Sequence, residues 1–301
     1  MGTEDNPRGL ESVFPSPITM DAIRNMNRRE LSAAEKSIPY SKYYHRELAE
    51  IPISDIELVN AGPVASSRAT SIHDRNDLMK PGYLEVETGY AVMEDGSGFA
   101  ATLVEMPDVT PAMLDWWFNW HPLEGLRYAI WCPTAHTDIS VKDPARHLDR
   151  SGISLEERNY GCTHYPVEGF DLDGAMKISI EFFSPEKFGL DMRMFKEPGI
   201  SRAYCANVNL FALDNLPLGV FFHAVREKGG GIEYRSRYWM GYTMAEGKPS
   251  SVDLPVSMVD LARNNCLHSL IEYNNLASFL PQLHQEMGGR IDDPDAFEFS
   301  S

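Results

Sequence analysis

From Gly82 onward the chain reads as short apolar or alternating runs separated by turn residues, and near its end that rhythm gives way to a helical one. YLEVETGYAVM and GFAATLVEM flank EDGSG, a glycine-containing connection of hairpin length. GVFFHAVRE and IEYRSRYWMGYTM make a second such pair across Gly229 to Gly231. LRYAIWCP, MKISIEFF and AYCANVNLFAL are rich in β-branched and aromatic residues and predict further strands. After the first hairpin, Thr110 and Pro111 supply an N-cap and a proline at the first helical position, opening a short aromatic helix, AMLDWWFNW. The last element starts with Asp253 as N-cap and Pro255 two residues on. In it Val256, Val259, Leu267, Leu270, Ile271 and Leu276 recur at helical spacings, to about Met287.

Strands followed by one long C-terminal helix predict the α+β class, a curved antiparallel sheet wrapped around that helix rather than a parallel βαβ sheet. Such a grip leaves a cavity between helix and sheet. Residues 1–78 differ in character. They are polar, carry Pro7, Pro15, Pro17, Pro39 and Pro52 as breakers, and show one clear helical stretch from about Thr19 to Ser37. They predict an N-terminal arm packed on a main domain of 79–301.

Composition narrows the function without naming it. At 301 residues and 43% hydrophobic, the chain can bury a sizeable core unaided. Its 27 Lys and Arg against 44 Asp and Glu give a net charge of -17, which repels a phosphate backbone or an anionic membrane, so neither is an expected partner. No apolar run approaches the ~18 residues of a spanning helix, and MGTEDNPRG lacks the basic start and apolar core of a signal peptide, so the expected compartment is the cytoplasm. Asn6 stands where a myristoylation signal wants Ser or Thr. Cys132, Cys162, Cys205 and Cys266 form no CxxC, which predicts buried free thiols. No GxGxxG, GxxxxGK[ST] or GxSxG stands out, leaving no case for a dinucleotide, P-loop or serine-hydrolase site.

His268 and Glu272 are the first chemical candidates, because a spacing of four puts both on one helix face, able to grasp one ion. Chance supplies on the order of one such pair in a chain of this composition. What raises it is the setting among Leu267, Leu270 and Ile271, where an unpaired carboxylate is costly. The bland alternative is a surface contact one turn apart. His136, at the end of LRYAIWCPTA, and Glu168, after Tyr165-Pro166-Val167, are the candidates from the sheet side, and either is otherwise a surface polar residue. Two imidazoles and two carboxylates would suit Zn²⁺. His223, in FFHAVR, is either a satisfied core histidine or a general acid or base on the cavity wall. Tyr128 and Tyr238 have apolar settings in which a hydroxyl needs a partner. Trp116, Trp117, Phe118 and Trp120 divide between core and pocket wall. A rival constellation is His136-Thr137-Asp138 with His223, Arg235 and Arg237, the layout of a non-haem Fe(II) oxygenase; it leaves the long helix without a role. A third reading is a non-catalytic helix-grip carrier of an aromatic ligand.

WWFNWHPLEGLRYAIWCPTAH, the glutamate of YPVEGF, FFHAVRE with SRYWMGY, and HSLIEYNNLASFLP together resemble the 2,4-diacetylphloroglucinol hydrolase and phloretin hydrolase family, from about Gly82 to Pro281. The resemblance implies a Bet v 1-like helix-grip fold and a homodimer. It also implies hydrolysis of the carbon-carbon bond between a phenolic ring and an acyl carbonyl, in acylphloroglucinol-type substrates. It assigns one zinc to His136, Glu168, His268 and Glu272, and matches Tyr128, His223 and Tyr238 to the family's pocket residues. At one place the chain departs: the family pattern has a polar Asn three residues after the first ligand, where this chain has Ile139. That bears on the acyl group or ring pattern accepted rather than on the metal.

Overall fold

The computed structural model describes residues 14–148, 152–195 and 199–291, so the start of the chain, with its signal-peptide and myristoylation readings, lies outside the described residues. Eight strands form one antiparallel sheet: β1 Gly89–Val92, β2 Gly98–Met106, β3 His136–Val141, β4 Thr163–Glu168, β5 Met176–Phe183, β6 Arg202–Leu210, β7 Leu216–Lys228 and β8 Gly231–Met240. Their spatial order is β1-β2-β8-β7-β6-β5-β4-β3. A separate hairpin, β9 Tyr242–Ala245 with β10 Lys248–Ser251, follows. Both predicted hairpins are present. In the second, Lys228 faces Gly231 across Gly229 and Gly230, whose φ of 60° and 90° are what a two-residue turn matched to strand twist requires.

The C-terminal helix, α8 Met258–Met287, has 30 residues and is thus roughly 45 Å long. It packs chiefly on β1 and β2, burying Leu261, Leu267, Leu270, Leu276, Leu280 and Leu283. The helix ends where expected, on Gly288 in the left-handed region. Its start is later than Asp253, because Leu254 and Val256 pack against the core as the chain crosses from β10 to the helix. The predicted α+β class and helix-grip arrangement are therefore observed.

Alternation sorts the sheet's two faces. Phe221, His223 and Tyr238 turn toward α8, while Phe222, Trp239 and Ala224 join Ile72, Leu78 and Phe188 in a second core on the outer face. The predicted helix over Thr19–Ser37 is instead two short ones, α1 Met20–Arg24 and α2 Ala33–Ser37. Ser32 restarts the helix through a capping box with Glu35, a signal overlooked inside the longer pattern. A further α-helix, α3 Ile53–Asn60, follows, and Ile18, Ile23, Tyr43, Leu48 and Ile56 share the core of α8. Arg263 of α8 also donates to the Phe14 and Pro15 carbonyls.

The aromatic helix is α4 Pro111–Trp120, capped by Thr110 as predicted. LRYAIWCP is not a strand. It forms α5 Gly125–Ala129 and a following turn, with Tyr128 N–H bonded to the Glu124 carbonyl and Ile130 N–H to that of Leu126. Every residue from Leu126 to Cys132 is buried, so no polar face was present to reveal the helical period. His136 accordingly opens β3 instead of following a strand. Two short helices, α6 Pro144–Leu148 and α7 Leu155–Arg158, lie between β3 and β4.

Candidate metal centre and cavity

Two independent local structures bring four ligand-type side chains together. In the sheet, His136 of β3 lies directly opposite Glu168 of β4, at the end of the ladder beside a bulge at His136/Asp138. On α8, His268 and Glu272 are one turn apart on the face that meets the sheet. His136 Nε2 lies 3.3 Å from His268 Nε2, 3.6 Å from Glu168 Oε2 and 3.7 Å from Glu272 Oε2. His268 Nε2 is 3.8 Å from Glu272 Oε2. Ligands at ~2.0–2.2 Å around one tetrahedral ion would be separated by about 3.3–3.6 Å, so the mutual spacings of His136, His268 and Glu272 fit a shared ion with small adjustments, and Glu168 joins them through His136.

The outer contact of His136 agrees. His136 Nδ1 donates to the Tyr128 carbonyl at 3.3 Å, leaving its Nε2 lone pair toward the cluster. His268 Nδ1 is buried with no hydrogen-bond partner among the described residues. Burial holds both imidazoles neutral, His268 at about 4 and His136 well below its usual range, the latter also through His268 and His121. Burial also raises Glu168 to about 8 and, with Glu168 nearby, raises Glu272 well above the carboxylate range. Two neutral donors beside two carboxylates that are costly to ionise unaided are the chemistry of a cation site.

Cys132 belongs to the same neighbourhood: its Sγ and ring nitrogens of His136 and His268 lie within 4.8 Å of one another, and this buried trio could itself hold a metal. Its thiol is held up at about 12 by burial and Glu272, and it contacts Thr134 Oγ1 at 3.7 Å. All four cysteines are free and buried, as predicted.

The cavity between sheet and helix has a mostly apolar wall, including Ile139, Met176, Ile178, Val208 and Phe221. Glu168, His268 and Glu272 line it together with Tyr128, His223 and Tyr238. The Tyr128 ring stacks on His136. His223 Nδ1 is 2.9 Å from Ser236 Oγ and its Nε2 3.3 Å from the Tyr273 hydroxyl, which accepts from Tyr234 OH at 3.2 Å. Burial holds His223 at about 3. Tyr238 OH donates to Ser269 Oγ at 3.1 Å. Of the α4 aromatics, Trp116, Trp117 and Trp120 are core and only Phe118 reaches the cavity.

The oxygenase layout does not assemble. Asp138 is exposed and accepts from the Ile139 N–H at 2.8 Å, because the bulge between His136 and Asp138 breaks the alternation that would otherwise put both on one face. Arg235 and Arg237 lie on the outer face, both bonded to Glu87. Residues that sequence reasoning missed also line the cavity: His121, His164, Asn265 and Tyr273. His164 shares the inward face of β4 with Pro166 and Glu168, so reading that segment as a strand would have exposed it.

The DAPG hydrolase PhiG domain matches residues 70–285. The chain belongs to the DAPG hydrolase family. A 2,4-diacetylphloroglucinol hydrolase from Pseudomonas sp is 32% identical over 92% of this chain and 96% of its own length. The phloretin hydrolase of Eubacterium ramulus is 29% identical over 84% of this chain and 91% of its own. Among solved structures, Ara h 8.0201 overlays on 62% of this chain and 99% of its own with a TM-score of 0.37 at 10% identity. The resemblance inferred from the motifs is borne out, and with it the expected enzyme class, a carbon-carbon bond hydrolase. No helix among the described residues is long and apolar enough to cross a membrane.

Proposed function

We propose that this protein is a zinc-dependent hydrolase of acylphloroglucinols, cleaving the bond between the phenolic ring and the acyl carbonyl carbon. One observation supports the metal reading: His136, His268 and Glu272 lie at mutual spacings suited to one ion, with Glu168 beside His136. The names of its relatives supply the substrate class, 2,4-diacetylphloroglucinol and phloretin. His136, Glu168, His268 and Glu272 are the ligands, with two carboxylates to balance a divalent charge, and Cys132 lies beside the set. We read 79–301 as the catalytic body that carries these groups and 1–78 as an arm, of which Phe14, Ile18, Ile23 and Ile56 share the core of α8. A cytoplasmic homodimer is the expected form, carrying no membrane or nucleic-acid partner.

The reaction adds water across one bond: the ring carbon gains hydrogen and the acyl carbon gains hydroxyl, giving a phenol and a carboxylic acid. Zinc supplies Lewis acidity at an oxygen of the substrate or of water. The remaining work falls to the chain. Tyr128 and Tyr238 orient phenolic oxygens through their hydroxyls. His223 is the proton-transfer group, acting at Nε2, the nitrogen that faces Tyr273. Burial keeps the ring neutral, and the Tyr273 hydroxyl, which accepts from Tyr234, turns its own proton to Nε2 and marks it as the accepting nitrogen; there it takes the proton of a ring hydroxyl and returns it to the ring carbon. Protonation of the ring carbon bearing the acyl group gives a keto form that behaves as a 1,3-dicarbonyl. Attack of water on the acyl carbon then lets the ring leave as an enolate, which returns to a phenol. Ile178, Val208, Phe221 and their neighbours exclude bulk water around the acyl group.

The test is elemental analysis of purified protein together with product analysis on acetyl- and diacetylphloroglucinol. About one zinc per chain and one acid released per bond cleaved is expected. Iron with oxygen uptake, or full activity after zinc removal, overturns the proposal.

A further inference from the structure

Two more imidazoles, His121 and His164, sit in the cavity wall, both buried and neither among the groups used above. Hydrogen bonds determine which nitrogen of each carries its proton. Asn119 donates from Nδ2 to the Asp115 carbonyl at 2.8 Å and the Leu155 carbonyl at 2.7 Å, so its Oδ1 is the accepting end. His147 Nδ1, 3.0 Å from that oxygen, is therefore an N–H. In a neutral ring this leaves His147 Nε2 as a lone pair, and His164 Nε2, 3.2 Å away, must donate to it. His164 Nδ1 is then an acceptor, and no described group bonds to it. His121 reaches the same condition by a separate route. Its Nδ1 donates to the Trp117 carbonyl at 2.7 Å, which leaves Nε2 as a lone pair with no described partner.

Burial keeps all three rings neutral, holding His121 at about 3, His147 at about 4 and His164 well below its usual range. The centroids of His121 and His164 are 6.3 Å apart, so two acceptor nitrogens belong to one stretch of wall. Around them are the rings of Phe118, Tyr128 and Phe182. Tyr128 is stacked between His121 and His136, which sets the pair one ring beyond the metal ligands. Neither nitrogen is among the sealed, partnerless atoms of the interior, and an acceptor that opens onto so apolar a cavity wall suits a ligand that brings a donor to it.

We propose that His121 and His164 form a second binding subsite, accepting the O–H of a phenol carried by the substrate away from the bond that is cleaved. This rests on the acylphenol reading above and narrows it to substrates with a hydroxyl at that reach. The donor is either a hydroxyl on the phloroglucinol ring or one on an aryl group ending the acyl chain. Asn119 and His147 are positioning residues, because they act by fixing the His164 tautomer.

Calorimetric binding to the metal-loaded protein, with acid release measured separately, tests the subsite and its source. One ligand pair is 3-(4-hydroxyphenyl)propanoyl- against 3-phenylpropanoyl-phloroglucinol. The other is acetylphloroglucinol against 2,6-dihydroxyacetophenone. One pair should be separated at least tenfold in Kd, identifying the source, and His164→Phe should shrink the separation below about twofold without loss of zinc. Absence of separation in both pairs, or its survival in His164→Phe, overturns the subsite. A long-range proton-nitrogen spectrum of the unmutated protein needs no variant. His164 Nδ1 and His121 Nε2 should appear unprotonated and move with the hydroxyl-bearing ligand only, and the opposite tautomers overturn the proposal. Discrimination in binding without acid release leaves the subsite standing and removes the hydrolase reading; release without discrimination does the reverse.

Discussion

The phenol ring of Tyr128 lies flat on the imidazole of His136, with centroids 3.9 Å apart and planes 2° apart. The backbone carbonyl of the same tyrosine accepts from His136 Nδ1. One residue therefore holds the ring's position and its tautomer, while its side chain lines the cavity. Tyr128→Leu removes the stack and should weaken zinc affinity about 10-fold or more, as loss of an outer contact does. Tyr128→Phe keeps the stack, so zinc should stay and kcat/KM on acetylphloroglucinol should fall about 10-fold. Competition with a chromogenic chelator and steady-state kinetics separate the two. Equal zinc affinity in both variants would sink the positioning role.

Removing a ligand tests the metal assignment. His268→Ala should cost both zinc and activity, with kcat/KM down at least ~10³-fold. Under the proposed ligand set, in which the carboxylates and not the thiol complete the site, Cys132→Ser should keep one zinc per chain. Metal content by mass spectrometry decides it, and a zinc-free Cys132→Ser would transfer the site to the cysteine.

Glu87 is the counter-charge for two buried guanidinia. Arg235 and Arg237 both bond to it, and its own carboxyl is held below the usual range: their hydrogen bond and charges outweigh burial, the largest single influence, which acts upward. Glu87→Ala should destabilise by ~3–5 kcal/mol, since it strands two buried cations. Urea unfolding measures this. Because the cluster lies on the outer face, zinc content should not change.

Stability toward acid should depend on Glu35. Its hydrogen bond from Arg29 holds its pKa at about 2, against an ordinary value of 4.5. A lowered carboxylate pKa stabilises the fold above its unfolded value, and that contribution fades as pH falls from 4.5 toward 2. Glu35→Gln should therefore lose about 1 kcal/mol at pH 7 and show a flatter loss below pH 4.5. Identical acid titrations of the two proteins by circular dichroism would refute this.

How much of this was legible depends on where polarity was available as a marker. The turn at Gly229–Gly231 and the β1/β2 hairpin were readable because each has a polar, glycine-rich break between apolar runs. The residues of α5 and the turn after it, from Leu126 to Cys132, are all buried, so helix and strand patterns look alike there. His268 and Glu272 could be found because helical spacing alone predicts a shared face. His136 and Glu168 are 32 residues apart, and the β3/β4 register that joins them has no local signature. His121 looks like core within its aromatic run, and His164 joins the inward face of Glu168 only once β4 is known to be a strand.

The order in which the elements occur along the chain carries a consequence for biosynthesis. All eight strands of the sheet precede α8, so a ribosome completes the trough before making the helix that fills it. During that interval the inward row of Ile178, Val208, Phe221 and Tyr238 faces water. Such a nascent chain exposes apolar surface and open strand edges and is a natural client for chaperones.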